Sequence, residues 1–224
     1  MKISIIIPVY NEEKTLRRVV NEVLNLKLEK EIIVVDDGST SDVRKTLSCF
    51  AKNKEVKLLK HKKNIGKGCA IRTGLKNASG DVIVIQDADF EYPPRQIPRL
   101  IKPILVGEAD VVFGSRFLGN IKDMSLTHNI GNKILTFITR LLYGSSITDM
   151  ETGHKAFRRR VIKDIHLTAN RFEIEPEITA KILMAGYRIF EVPVDYTARR
   201  EGKKIGIKDG FAALKWLLLY RFYQ

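Results

Sequence analysis

At 224 residues, 44% hydrophobic and 29% charged, the chain can bury one sizeable core, which excludes the fibrous and disordered classes. Its 39 Lys and Arg against 26 Asp and Glu give a formal net charge of +13, which favours anionic partners such as nucleotide phosphates or anionic lipid headgroups, though a Lys-rich solvated surface gives the same balance. Two cysteines, Cys49 and Cys69, form neither a disulfide framework nor a metal-site spacing, and they fit a reducing cytoplasm.

The opening MKISIIIPVYNEE holds an apolar run of only five to seven residues with acids behind it, which reads as a first strand and not as a signal peptide. Leu16, Val19, Val20, Val23 and Leu24 then fall at i, i+3, i+4, i+7 and i+8, one apolar stripe of a helix. β-Branched runs recur at 32–35, 56–59, 82–85 and 111–113 with helical spacing between them, which predicts parallel βαβ units. The runs lack polar alternation, as expected when helices cover both faces of a sheet. After residue 114 the rhythm changes to helices over about 126–143 and 175–185, a strand over 187–192 and a last helix from about 208. With no linker rich in Pro, Gly or Ser, the expectation is a single α/β domain with a mostly parallel sheet. Its halves are 1–117 and 118–206, followed by a C-terminal helix over 207–224. No apolar run approaches the ~20 residues that span a bilayer.

In open parallel sheets, ligands bind beyond the carboxyl ends of the strands, so the strand ends define the candidate site. The first strand ends in PVYNEE, which brings Pro8, Tyr10, Asn11 and Glu12 to the rim, and the second in VVDDGSTSD, which brings Asp36 and Asp37. The fourth ends in DADFE and the fifth in GSRF, the latter supplying Arg116. Asn11 and the 36–41 stretch also serve as caps and turns. Asp87 and Asp89 are different, because carboxylates two apart in extended chain point the same way and repel, and Glu91 adds a third. A divalent cation, Mg²⁺ or Mn²⁺, relieves that repulsion with one or two carboxylates and completes its shell with water and substrate phosphates. Other chemistries fit poorly. The histidines at 61, 128, 154 and 166 are scattered, NIGKGCAIRTG lacks the P-loop spacing, and there is no G-x-S-x-G elbow. In that glycine segment, Lys67 and Arg72 are the residues that could approach phosphate.

The ordered set IIIPVYNEEKTL, IIVVDDGSTSD, DADFEYPP, GSRF and TDMETGHKAFRR, with EPEITAKILMAGYRIFEVPVDY and EGKKIGIKDG, resembles the family 2 glycosyltransferases of GT-A fold over nearly the whole chain. Within them it is most similar to the polyprenyl-phosphate sugar synthases of the dolichol-phosphate mannose synthase group. The resemblance implies that Pro8, Tyr10, Glu12 and Val35 line the nucleotide pocket, that Asp37 accepts a base N–H, and that Asp87 and Ala88 border the ribose and diphosphate. It further implies that Asp89, with Glu91, holds the metal, and that Arg116 faces the diphosphate or the acceptor phosphate. Arg200, Lys203 and Lys204 correspond to a basic loop over the phosphates. Two positions depart from the family pattern: Glu91 stands where many mannose synthases have Gln, and His154 where an aromatic is usual.

The reaction so implied is transfer of a hexose from GDP-mannose or UDP-glucose to a polyprenyl (dolichyl) phosphate, with inversion at the anomeric carbon. Such a phosphate, with a second pKa of about 6, is already a nucleophile and needs no general base. If a sugar hydroxyl is the acceptor instead, Asp149 is the acid to serve as base. The C-terminal GFAALKWLLLYRFYQ is apolar on nearly all sides from Phe211 to Tyr220, spans only ~15 Å over those ten residues, and carries Trp216, Tyr220, Tyr223, Lys215 and Arg221. It fits a helix lying in a membrane interface or packed on the sheet, and ILTFITRLLY at 134–143 is a second such segment. The expected location is the cytoplasmic face of a membrane, with peripheral attachment. A sugar-phosphate nucleotidyltransferase would carry a Gly-rich loop after the first strand, where PVYNEEKTL has no glycine. A nucleic-acid binder would explain the charge but not the acid-lined rim, so no nucleic acid partner is expected.

Overall fold

The computed structural model describes residues 1–199 and 207–222. The β-branched runs form β1 (Ile3–Val9), β2 (Lys30–Asp36), β3 (Val56–Lys60), β4 (Val82–Ile85) and β5 (Val111–Ser115). Between them lie α1 (Leu16–Leu24), α2 (Ser41–Ser48), α3 (Lys67–Asn77) and α4 (Ile97–Leu105). The second half adds β6 (Ile121–Lys122), α5 (Leu126–Tyr143), β7 (Lys155–Arg158), α6 (Arg159–Asp164), α7 (Ile174–Met184), β8 (Ile189–Pro193), β9 (Tyr196–Thr197) and α8 (Ile207–Phe222).

Seven strands make one sheet in the order β3-β2-β1-β4-β7-β5-β8, and β6 pairs with β9 beside it. All neighbours in the large sheet are parallel except β7, which runs antiparallel between β4 and β5. Alternation along β1 sorts the core onto two faces. Ile3, Ile5, Ile7 and Val9 pack with α1, α2 and α4, whereas Ile6 packs with Ile33, Val35 and the Ala70–Ile71 face of α3. Leu16, Val19, Val20 and Val23 of α1 are buried, as their spacing predicts. A third cluster joins α5, α7 and α8 through Leu135, Ile147, Met150, Ala180, Ala213, Leu217 and Tyr220.

The strand β7 was not foreseen. Its four residues, KAFR, begin and end in charge, so no apolar run announces it. Just ahead of it His154 is 1% exposed, packs against the Tyr92 ring at 5.5 Å between centroids, and has no hydrogen-bond partner on either ring nitrogen among the described residues. Burial pulls its imidazole down to about 4 from an ordinary 6.5. Between those values the unfolded chain takes up a proton that the native state refuses, so stability falls as pH drops through this window, by about 3 kcal/mol in all, and is unaffected above it. His154→Phe should therefore raise the melting temperature more at pH 5 than at pH 8 in thermal melts. An equal gain at both pH values would refute a neutral buried imidazole.

Candidate active site

The carboxyl ends of β1 and β4 deliver two acidic turns to one place. Thr15, just before α1, donates its hydroxyl to the Ala88 carbonyl at 2.7 Å and ties the turns together. Beyond β4 the chain does not stay extended, as the sequence reading assumed. Phe90 adopts φ = +65°, a strained conformation for a bulky residue, and the Glu91 amide donates to Asp89 Oδ1 at 3.1 Å. This tight turn aims Asp89 and Glu91 at the same point. There the guanidinium of Arg199 ion-pairs with three acids: Nη1 with Glu12 at 2.9 Å, Nε with Glu91 at 3.3 Å, and Nη2 with Asp89. The Arg199 amide adds a bond to Glu91 Oε1 at 3.0 Å, and the Tyr196 hydroxyl donates to Glu91 Oε2 at 2.8 Å.

Asp87 faces elsewhere. Its partner is Lys67, the first residue of α3, at 2.7 Å, and Lys67 also reaches Glu175 at 2.9 Å. Glu175 in turn pairs with the fully buried Lys155 of β7. Gly66, at φ = +125°, and Gly68 let the start of α3 press against the backbone of 169–171, where the Gly68 and Cys69 amides donate to the Arg171 and Asn170 carbonyls. Arg72 is spent on Asn170 at 2.6 Å. On the other side, a Cβ on Gly153 would collide with the Asp87 carboxylate, so the 149–153 loop abuts this acid directly. Burial pushes Asp87 and Asp89 above the usual carboxylate range, and Lys67 and Arg199 oppose that push. Against the same upward push of burial, Lys155 and Lys67 hold Glu175 below its ordinary value.

Arg116 follows β5 and is buried. Its backbone amide, Nε and Nη2 all donate to the fully buried Asp149, at 2.9, 2.7 and 2.6 Å. The guanidinium also lies 5.3 Å from the Tyr196 ring centre. Next to Asp149 stands Glu151, whose Oε1 is buried without a partner among the described residues and whose carboxyl burial raises to about 7. The sequence reading quoted Glu151 but gave it no role.

At the end of β2, Asp37 is 2% exposed and accepts from His61 Nδ1 at 2.6 Å, Asn64 Nδ2 at 2.8 Å, the Gly66 amide at 2.7 Å and the Ile65 amide at 3.0 Å. Asp36 accepts from the Ser39 amide at 2.8 Å, and its Oδ2 is buried with no partner among the described residues. Tyr10 lies exposed on the rim and Pro8 is half-buried, but the Val35 side chain is wholly in the core with Ile6 and Ile33. Arg200, Lys203 and Lys204 lie outside the described residues. Arg199, which the sequence reading passed over, is the basic residue that, among the described residues, pairs with Glu12, Asp89 and Glu91. Its signal was the adjacent pair in TARREG, where nothing in the pattern selects the first Arg over the second.

The Glycosyl transferase family 2 model matches residues 4–166. The UDP-N-acetylglucosamine–dolichyl-phosphate N-acetylglucosaminyltransferase of Methanococcus voltae is 35% identical over 241 residues, covering 98% of this chain and 96% of that protein. The dolichol-phosphate mannosyltransferase of Pyrococcus furiosus is 32% identical over 209 residues, covering 91% of this chain and 58% of the relative. Among solved structures, the glucosyl-3-phosphoglycerate synthase of Mycobacterium tuberculosis with Mn²⁺ and UDP-glucose superposes with a TM-score of 0.77 at 21% identity, covering 98% of this chain and 78% of that one, a likeness of fold.

The saturation of Asp37 yields a test. Asp37→Ala removes the acceptor of the Ile65 and Gly66 amides, of Asn64 Nδ2 and of His61 Nδ1, and each of these partly buried donors costs at most roughly 1–3 kcal/mol when left unmet. Denaturant melts should show a loss of about 2–4 kcal/mol. A melt unchanged from the parent would mean that solvent replaces the carboxylate without cost.

Proposed function

The chain belongs to Glycosyl transferase family 2, and from that premise we propose that it moves a sugar from a nucleotide sugar to a polyprenyl (dolichyl) phosphate at a membrane surface, with Mg²⁺ or Mn²⁺ at the diphosphate. That it is a glycosyltransferase follows from the family and from its dolichyl-phosphate relatives. The observation that carries the finer reading is a juxtaposition. A site suited to a cation–diphosphate pair borders α5, whose Thr136 hydroxyl accepts from the Met150 amide beside Asp149 at 3.1 Å and whose outer face is exposed and apolar.

The residues present fit a divalent ion. In the ion pairs around the site, among the described residues, five carboxylates (Glu12, Asp87, Asp89, Glu91 and Glu175) meet three cations (Lys67, Lys155 and Arg199). Among the described residues no three His, Cys, Asp or Glu side chains are grouped so as to hold a metal ion by themselves. Mg²⁺ or Mn²⁺ takes one or two carboxylates, here Asp89 and Glu91, and leaves positions for phosphate oxygens. A bound ion would supply charge to the departing nucleoside diphosphate. The Mn²⁺ and UDP-glucose in the structural neighbour support this reading.

The chain's own residues then divide the work. The 1–117 half holds the nucleotide: Pro8, Tyr10 and Glu12 border it, Ala88 and Asp87 close its diphosphate side, and Asp37 shapes the wall by fixing residues 61–66. The 118–206 half receives the acceptor. Arg116, oriented by Asp149, faces the phosphates, and Arg200, Lys203 and Lys204 add positive charge. Asp149 commits both oxygens to Arg116. A phosphate acceptor, ionised near neutral pH, leaves no proton for it to take. To GDP-mannose and UDP-glucose as donors, the M. voltae relative adds UDP-N-acetylglucosamine.

No helix among the described residues is long and apolar enough to cross a membrane. Instead α5 exposes Leu126, Ile130, Ile134, Phe137 and Leu141, spaced four, four, three and four residues apart on one face. It begins four residues after β6, and α8 begins eight residues after Arg199. Ala213, Leu217 and Tyr220 fix α8 to the core, while Phe211, Leu218 and Phe222 stay exposed. Trp216 stacks on Tyr220 and is half-buried, so the anchors of α8 are its phenylalanines and Leu218; Tyr223 lies outside the described residues. Exposed Lys133, Arg140, Lys215 and Arg221 flank these faces and fit peripheral attachment to an anionic, cytoplasmic leaflet.

Two experiments test the reading. With radiolabelled donors, Mn²⁺ or Mg²⁺ and a polyprenyl phosphate, Asp89→Asn should lower transfer at least ~100-fold without loss of fold, and unchanged turnover would overturn the metal assignment. Phe137→Glu with Leu218→Glu, both at exposed positions, should release the protein from anionic liposomes and slow transfer to a long-chain acceptor while sparing a short, soluble one. Parent protein that ignores such liposomes at low salt would remove the membrane reading.

A further inference from the structure

The Arg199 clasp has a direct bearing on how a metal could enter. All three guanidinium nitrogens are committed, each to a different acid, and the oxygens they hold include Asp89 Oδ2 and Glu91 Oε1. Both belong to the carboxylates assigned above to the ion. The arrangement is no loose surface pair: the Arg199 side chain is 23% exposed, its own amide donates to Glu91, and Tyr196 and the Thr197 amide bind the same glutamate through its side chain and carbonyl. A dication approaching Asp89 and Glu91 therefore meets a fixed positive charge on the oxygens it needs.

We propose that Arg199 is a positioning residue that competes with the free divalent ion, so that the ion loads well only together with a nucleoside diphosphate, whose phosphates accept the displaced guanidinium. A planar guanidinium fork matches phosphate oxygens as well as it matches carboxylates, so the exchange swaps one set of charge-assisted bonds for another. Without a diphosphate the ion must either leave Arg199 in place, and forgo ligands, or expel it with no new partner. The consequence is ordered loading. The inference rests on the metal reading of the proposed function and adds to it the order in which the parts assemble.

The test is Mn²⁺ binding, followed by calorimetry and by the loss of free-ion signal in electron paramagnetic resonance, with no sugar transfer required. Arg199→Gln should bind Mn²⁺ alone about tenfold or more tighter than the parent. Addition of UDP or GDP should raise the parent's Mn²⁺ affinity by a larger factor than the variant's. Arg199→Lys, whose single ammonium cannot reach three acids, should lie between the two, and it serves as the variant if the glutamine form fails to fold by circular dichroism. Equal affinity of parent and variants for Mn²⁺ alone, with binding present, overturns the inference and leaves the metal reading standing. Absence of Mn²⁺ binding in all of them, with or without nucleotide, removes the metal reading and the inference together.

Discussion

A carboxylate taken out of water needs hydrogen-bond donors or a positive charge, and among the described residues this site gathers five that are met by cations, at the carboxyl ends of β1 and β4 and beside β7. The three cations that answer them come from three separate places: Lys67 from the start of α3, Lys155 from β7, and Arg199 from just beyond β9. Much of the local architecture follows from delivering them. The glycines of NIGKG bring the head of α3 close enough for Lys67 to reach Asp87, and β7 carries Lys155 into the middle of the sheet to meet Glu175. The pairing of β6 with β9 holds the strand that leads to Arg199.

A second charge relay, independent of the first, frames the other side of the site. Arg116 grips Asp149, and Glu191 of β8 accepts from the Thr148 and Asp149 amides at 2.7 and 3.1 Å. One loop, 148–153, is thereby fixed at both ends, against β5 and β8 on one side and against Asp87 on the other. Glu151 rides on this loop, its Oε1 buried without a hydrogen-bond partner among the described residues.

Where the sequence was legible, the reason was periodicity. The β-branched runs located β1 to β5 and the stripe located α1 because burial on both faces of a sheet, or one face of a helix, leaves a pattern. Strand β7 escaped because only two of its four residues, Ala156 and Phe157, are apolar, while Lys155 is buried through its pair with Glu175. The acids of DADFE were selected on the assumption of extended backbone, whereas a left-handed Phe90 brings Asp89 and Glu91 together and Asp87 faces another partner. The family resemblance puts Val35 at the nucleotide pocket, and strand alternation turns its side chain into the core with Ile6 and Ile33. Arg199 and Arg200 are indistinguishable in a segment without periodicity. The last helix reads as apolar all round, and only the packing of Ala213, Leu217 and Tyr220 separates its core face from the face it exposes.

The position of β7 also bears on how the chain acquires its shape. Strands β4 and β5 are separated in the sheet by a segment that is synthesised some forty residues after β5 ends, so neither has its final neighbour until that segment arrives. A nascent chain that stops after β5 would present the inner edge of β4, four fully buried aliphatic residues long, as an open template for pairing with other chains. Closure of this gap is a long-range event, which slows folding and lengthens exposure to aggregation. Residues 1–117 are therefore not a self-contained module, because cutting the chain after them removes the strand that joins β4 to β5.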